Sequence, residues 1–226
     1  MKITYYGQNT FSIQTKNVTI LTDPFITGNE LAKDKVDIQK LKADYILVTH
    51  AHQDHILDVE AIAKSTGATI VTNTEIASYF KNKGLKTHGM NFGGNVKFDF
   101  GMAKYVVAHH SSSFPDGSYG GNPGGFVLQI DEKTIYMAGD TSLTMDMKLI
   151  AEEFDLDLAI LPLGDNYTMG IKDAVKASNF VGCDKIIGCH YDTFPLIEID
   201  HTEAKNAFKQ AGKELHLMEI GAFIEL

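Results

Sequence analysis

Four short apolar runs, Tyr45 to Thr49, Ala103 to Ala108, Ile135 to Ala138 and Lys185 to Cys189, each lead into a histidine or an aspartate, directly or after a single glycine. Apolar runs of this length, bounded by glycine and polar residues, read as buried strands. Imidazole and carboxylate suit zinc, iron or manganese, and a strand end aims them from a rigid base. The economical arrangement brings all four strand ends to one edge of the fold, and that demand limits the topologies open to the chain.

The densest of these ends is Thr49-His50-Ala51-His52-Gln53-Asp54-His55. In extended chain, His50 and His52 at i and i+2 point to the same side, and a helical turn beginning near Asp54 carries Asp54 and His55 to a second position. That spacing serves two metals. A plain polar loop holding three histidines is the competing explanation, but imidazoles crowded together repel when protonated.

The remaining ends supply further ligands. After Ala103 to Ala108 comes His109-His110, and adjacent strand residues face opposite ways. His110, entering the loop, is the expected ligand, and His109 is left to packing or to a place behind the ligands. Asp140 ends the run at Ile135 to Ala138 and is expected to bridge two cations; capping the helix near Met145 is the alternative, though Thr141 or Ser142 serves that purpose as well. His190 ends the run at Lys185 to Cys189.

Between these points the pattern alternates. Strands are expected at Lys2 to Tyr5, Thr10 to Gln14 and Val18 to Thr22, then at Ala68 to Thr72, Val96 to Phe100, Gly125 to Ile130 and Leu158 to Leu163. Helices are expected at Val59 to Lys64, Thr74 to Lys83, Ile171 to Phe180 and Thr202 to Ala211, with Gly67 and Gly84 as stops. Strand, helix, strand, helix is an α/β rhythm. Lys33 to Lys42 reads as a solvated connection. At 226 residues, one domain over 1–226 is expected.

Other polar residues carry weaker signals. Asp23, at a strand end before Pro24, reads as a turn former or as a carboxylate orienting a ligand histidine. Asp165 is open between turn chemistry and a similar supporting place. His88 is open between lining the pocket and a structural place, His201 and His216 read as structural, and Cys183 and Cys189 as core. The glycines of Gly117 to Gly125 allow either a mobile loop over the site or a plain surface loop.

Charge narrows the partners. The formal net charge is -9, and all 20 positive residues are lysine. Arginine is the usual residue for gripping phosphate and reading nucleic acid, so no nucleic-acid partner is expected. No run is long enough to span a membrane, the N-terminus enters a strand pattern directly, and two cysteines are too few for a disulfide framework; a cytoplasmic protein is expected, with self-association into a homo-oligomer left open.

With these residues in view, the chain resembles the metallo-beta-lactamase-fold superfamily of metal-dependent hydrolases. The match runs through His50-Ala51-His52-Gln53-Asp54-His55, His110, Asp140 and His190 in order. The flanking Asp23-Pro24-Phe25, Gly164 to Gly170 and His190 to Pro195 look closest to its small single-domain branch related to ascorbate-6-phosphate lactonase. The resemblance implies an α/β four-layer αββα sandwich of two mixed sheets with helices outside and the site at one edge. It implies that His50, His52 and His110 hold one metal and Asp54, His55 and His190 the second, with Asp140 between them. His55 and Asp140 stand where beta-lactamases of this fold commonly have other residues, including a cysteine, which disfavours antibiotic hydrolysis. Departures from the di-iron redox members, and the lack of a glyoxalase II substrate domain or a tRNA-binding arm, disfavour those activities.

The expected function is therefore hydrolysis by a hydroxide bridging two divalent metals, zinc first and manganese or iron next, with Asp54 also catalytic. A small-molecule ester or lactone is the expected substrate. A phosphodiester is the rival substrate, and a metal-dependent binding or sensor protein without turnover is the rival class.

Overall fold

The computed structural model describes residues 1–226. Its strands form two seven-stranded sheets. In the first, β1 (Lys2–Gly7), β2 (Thr10–Gln14), β3 (Thr19–Thr22), β4 (Tyr45–Leu47), β5 (Thr69–Asn73) and β6 (Thr87–Met90) lie side by side in chain order. In the second, β7 (Asn95–Phe98), β8 (Gly101–Val107), β9 (Gly124–Ile130), β10 (Lys133–Met137), β11 (Leu158–Pro162), β12 (Lys185–Cys189) and β13 (Glu214–His216) do the same. A last strand, β14 (Phe223–Glu225), returns to pair with β1.

Both sheets are mixed in the same way. The β1 to β3 and β7 to β10 pairings are antiparallel, and the β3 to β6 and β10 to β13 pairings are parallel. Parallel neighbours need long crossovers, usually helical. The first sheet uses α1 (Gln53–Ile56), α2 (Val59–Thr66) and α3 (Thr74–Asn82); the second uses α4 (Met147–Glu153), α5 (Ile171–Phe180) and α6 (His201–Gln210).

The apolar strands are buried on both faces, and the alternation of side chains sorts them into layers. Leu47, Val71, Ile160 and Ile187 point between the sheets, where they pack with Phe11, Tyr105 and Phe126. Their neighbours Ile46 and Ile70 point outward under Ile62, Ile76 and Phe80 of α2 and α3. Ala159, Leu161 and Ile186 likewise face Ile150, Ala174 and Phe208 of α4, α5 and α6. The result is the expected helix, sheet, sheet, helix sandwich.

Directions of the strands then fix where the ligands fall. Two antiparallel pairings separate β8 from β10, so the two run the same way, and β11 and β12 continue parallel to β10. Their C-terminal ends share one edge. Hydrogen bonds tie the end of β4 to that edge: Tyr105 Oη donates to the Thr49 carbonyl at 2.9 Å, and the Gly124 amide does so at 3.1 Å.

Two edge strands were not expected. β6 reads Thr-His-Gly-Met and β14 Phe-Ile-Glu, both only partly buried, so neither carries a continuous apolar signal. Within the 33–42 connection, a short 3-10 turn at Ile38–Lys40 lays Ile38 against the helix-side core.

Candidate metal centre

β4 delivers Thr49 and His50 in extended chain, and His52 (φ -64, ψ 149) is the last extended residue before α1 begins. His50 Nε2 and His52 Nδ1 thus stand 2.9 Å apart, while the turn of α1 swings Asp54 and His55 to the far side of His50. His110 follows β8 and His190 follows β12. Asp140 hangs from Gly139 at the end of β10; at φ +64, and with a Cβ position 2.9 Å from Thr49 Cβ and the Gly124 carbonyl, only glycine fits that bend.

The seven residues fall into two groups. His50, His52 and His110 form one, and Asp54, His55, Asp140 and His190 the other, with the ligand atoms of each group within 4.8 Å of one another. Asp140 Oδ2 belongs geometrically to both. It stands 2.9 Å from His190 Nε2, 3.3 Å from His55 Nε2, 3.6 Å from His110 Nε2 and 3.9 Å from His50 Nε2. Asp54 Oδ2 is 3.3 Å from His55 Nε2 and 3.4 Å from His190 Nε2.

The donor set fits a pair of divalent cations. His55 Nε2 is fully enclosed, faces two carboxylates and has no hydrogen-bond partner. Buried polar atoms are nearly always satisfied, and an imidazole nitrogen aimed at carboxylates without bonding either is placed as a cation ligand is. No thiolate takes part; Cys189 is buried beside His190 in the layer between the sheets.

Behind the ligands stands a set of orienting groups. Asp23 is completely buried and takes the second of the two places considered for it: Oδ2 lies 2.9 Å from His55 Nδ1 and accepts from Thr49 Oγ1 at 2.7 Å, and Oδ1 accepts from the Thr49 amide at 2.8 Å. Gln8 and Asn9, in the turn between β1 and β2, were missed. Gln8 Nε2 donates to Asp54 Oδ2 at 2.8 Å, Asn9 Nδ2 donates to Asp140 Oδ1 at 2.7 Å, and the Gln8 carbonyl accepts from the His190 amide at 3.1 Å. In sequence they look like ordinary turn residues, and only the packing of the sheets brings that turn to the site.

Burial and charge act differently on the two groups. Burial pushes His50, His52 and His110 below the usual imidazole range, leaving them neutral with the lone pairs a cation needs. At the second group burial also disfavours charge on the histidines, but Asp140 and its neighbouring carboxylates outweigh it, raising His190 to about 9 and His55 well above its ordinary value. Burial equally opposes ionisation of Asp54 and Asp140, yet the facing histidines hold both below the usual carboxylate range. Asp23 is shifted the other way, upward, by its burial.

Other candidates lie elsewhere. His109 points away from His110 and pairs with Asp146 at 2.9 Å. Asp165 has turn chemistry, at φ 56 with Oδ1 accepting from the Asn166 amide. His88 packs edge-on against Phe98, His201 pairs with Asp192, and His216 lies 3.1 Å from Glu214. The loop after His110 is docked: Ser112 Oγ accepts from the Ala51 amide, Asn73 Nδ2 donates to the Gly120 carbonyl, and Phe114 stacks on Tyr79 at 4.0 Å.

Comparison with known proteins identifies the family. The family described as "Beta-lactamase superfamily domain" matches residues 2–190. A metal-dependent hydrolase of Christiangramia forsetii is 65% identical over 226 residues, all of both chains, and one of Flavobacterium johnsoniae is 59% identical over the same span. Among solved structures, Igni18, a metallo hydrolase from the hyperthermophilic archaeon Ignicoccus hospitalis, superposes with a TM-score of 0.90 at 34% identity, covering 100% of this chain and 98% of its own. The chain belongs to the beta-lactamase superfamily, among its metal-dependent hydrolases.

Proposed function

We propose that the protein hydrolyses a small uncharged ester or lactone at a centre of two divalent cations, zinc first among them. His50, His52 and His110 hold one cation, and Asp54, His55 and His190 the other, with Asp140 shared. The observation that carries this reading is the position of Asp140 Oδ2, within 3.9 Å of a ligand nitrogen from each group. Two such cations lower the pKa of a water to about 7 and polarise the oxygen of the bond under attack.

The chain's own residues supply the rest. Asp23 fixes the ring of His55, and Asn9 fixes the carboxylate of Asp140. Asp54, held by Gln8 and facing the cleft above the centre, accepts the proton released on attack and returns it to the departing oxygen as the acyl bond breaks. A phosphodiester fits less well, because no lysine lines the cleft and the chain has no arginine.

The test is elemental analysis of protein purified without chelator, followed by a screen of esters, lactones and phosphodiesters. Two cations per chain, with ester or lactone turnover abolished by His52→Ala and Asp140→Ala, is the expected result. Fewer than two cations after reconstitution, or turnover confined to phosphodiesters, would overturn it.

A further inference from the structure

We infer that the substrate carries an apolar chain or ring next to its scissile bond, and that Leu57, Phe194 and Leu196 receive it. The inference rests on the ester or lactone reading above and adds the chemical class of the substituent. It starts from the cleft that opens over the metal centre, a space of about 880 Å³ with His52, Asp54, His110, Asp140 and His190 in its wall. That volume exceeds what a compact ester such as an acetate needs, and lies in the upper range of small-molecule pockets.

Gln53 and Ser111 add polar groups beside the centre, and the rest of the lining is mainly apolar. Leu57 ends α1 on one side, with Phe25 beside it, and the segment from Phe194 to Leu196 stands opposite; the rings of Phe25 and Phe194 approach to 6.1 Å between centroids. Four of the nine large hydrophobic residues exposed on the whole molecule line this one cleft: Leu57 at 38%, Tyr167 at 52%, Phe194 at 37% and Leu196 at 64%. Single exposed hydrophobics are ordinary, but their gathering around a catalytic centre marks a surface for an apolar ligand.

The arrangement is built, not loose. Asp192 donates its amide to the Ile197 carbonyl at 2.9 Å, accepts from the Ile199 amide at 3.0 Å through Oδ1, and pairs with His201 at 2.6 Å through Oδ2. Ile197 is fully buried and anchors the strap from below. Phe194 and Leu196 thus flank a residue pinned in the core and stand exposed at the mouth. Away from the metal centre, an anionic substituent finds no lysine in the lining and no arginine in the chain to receive it.

The test uses the protein with its bound metal and two series of the same acyl lengths. Butanamide, hexanamide and octanamide, which are slow to hydrolyse, are titrated by calorimetry, and the matching p-nitrophenyl esters are assayed for turnover. Affinity for the amides and kcat/KM for the esters are expected to rise about fourfold per added methylene, the transfer free energy of one CH₂, until the cleft is filled. Leu196→Glu is expected to flatten both slopes while the metal content, read by elemental analysis, is unchanged. Amide affinity that does not depend on chain length would overturn the inference whatever the esters do. Length-dependent amide binding without ester turnover would uphold the apolar site and overturn the hydrolytic reading instead.

Discussion

Asn9, in the turn between β1 and β2, donates from Nδ2 to Asp140 Oδ1 across 2.7 Å, so a residue of one sheet holds a carboxylate that hangs from the other. The sandwich closes over its candidate metal centre. Asp140 keeps Oδ2 free for the two ligand groups because Oδ1 is already engaged. Replacing Asn9 with leucine keeps the volume and removes the donor. Metal affinity is expected to fall about 10- to 100-fold, as for other groups that orient ligands, with the circular dichroism unchanged. Competition against a chelator of known affinity measures it, and unaltered affinity would show that Asp140 is held by packing alone.

The two histidines at the end of β8 give a paired control. His110 Nε2 lies 3.6 Å from Asp140 Oδ2, whereas His109 faces outward to Asp146. His110→Ala is expected to leave about one cation per chain, His190→Ala about one from the other group, and His109→Ala the full complement. Elemental analysis of the three proteins reads this directly. Loss of metal in His109→Ala would contradict the assignment of the strand faces.

The gathering of these candidate ligands was legible before the fold because each follows an apolar run, and period-2 alternation sends only one of two neighbours to a given side. That logic separated His110 from His109 and Cys189 from His190. It fails for Gln8 and Asn9, which belong to a turn whose neighbours in space come from residues 46 and 131 positions away. It also left Asp23 undecided, since a turn former and an orienting carboxylate have the same local sequence. The glycine-rich loop after His110 was left open for another reason: its glycines permit close packing against Ala51 and Asn73 as readily as they permit motion.

Asp23 also sets which nitrogen of His55 carries the proton. Its carboxylate faces Nδ1 and accepts two bonds from Thr49, so Nδ1 keeps its proton and Nε2 is the nitrogen that must release one when a cation binds. An asparagine here must keep its oxygen toward the Thr49 amide, which turns its NH₂ group toward Nδ1. Asp23→Asn is therefore expected to move the proton to Nε2 and lower metal affinity about 10- to 100-fold. Nitrogen NMR of the His55 ring reads the tautomer, and an unchanged Nδ1 proton would refute the account. Asp23→Ala instead leaves the buried Thr49 donors and His55 unpaired, at a cost of about 3 kcal/mol in urea unfolding measured with chelator present.

The loop from Ser111 to Pro123 provides a test of rigidity beside the cleft. Gly121 has φ +74, and a Cβ there would lie 2.6 Å from the side chain of Asn73. That asparagine cannot retreat without loss, because it caps α3 through the Ile76 amide at 2.9 Å and holds the carbonyls of Gly120 and Asn122. Gly121→Ala is expected to cost about 2 kcal/mol or more, from the left-handed backbone and the displaced cap together. Chymotrypsin provides a local readout, since Tyr119 is exposed on this loop but sits between docked residues. Cleavage after Tyr119 is expected to be slow in the wild type and faster in Gly121→Ala, because a protease needs the surrounding segment to open. Rapid cleavage of the wild-type protein at this position would instead show a loop that opens freely over the centre, and the glycines would then serve motion after all.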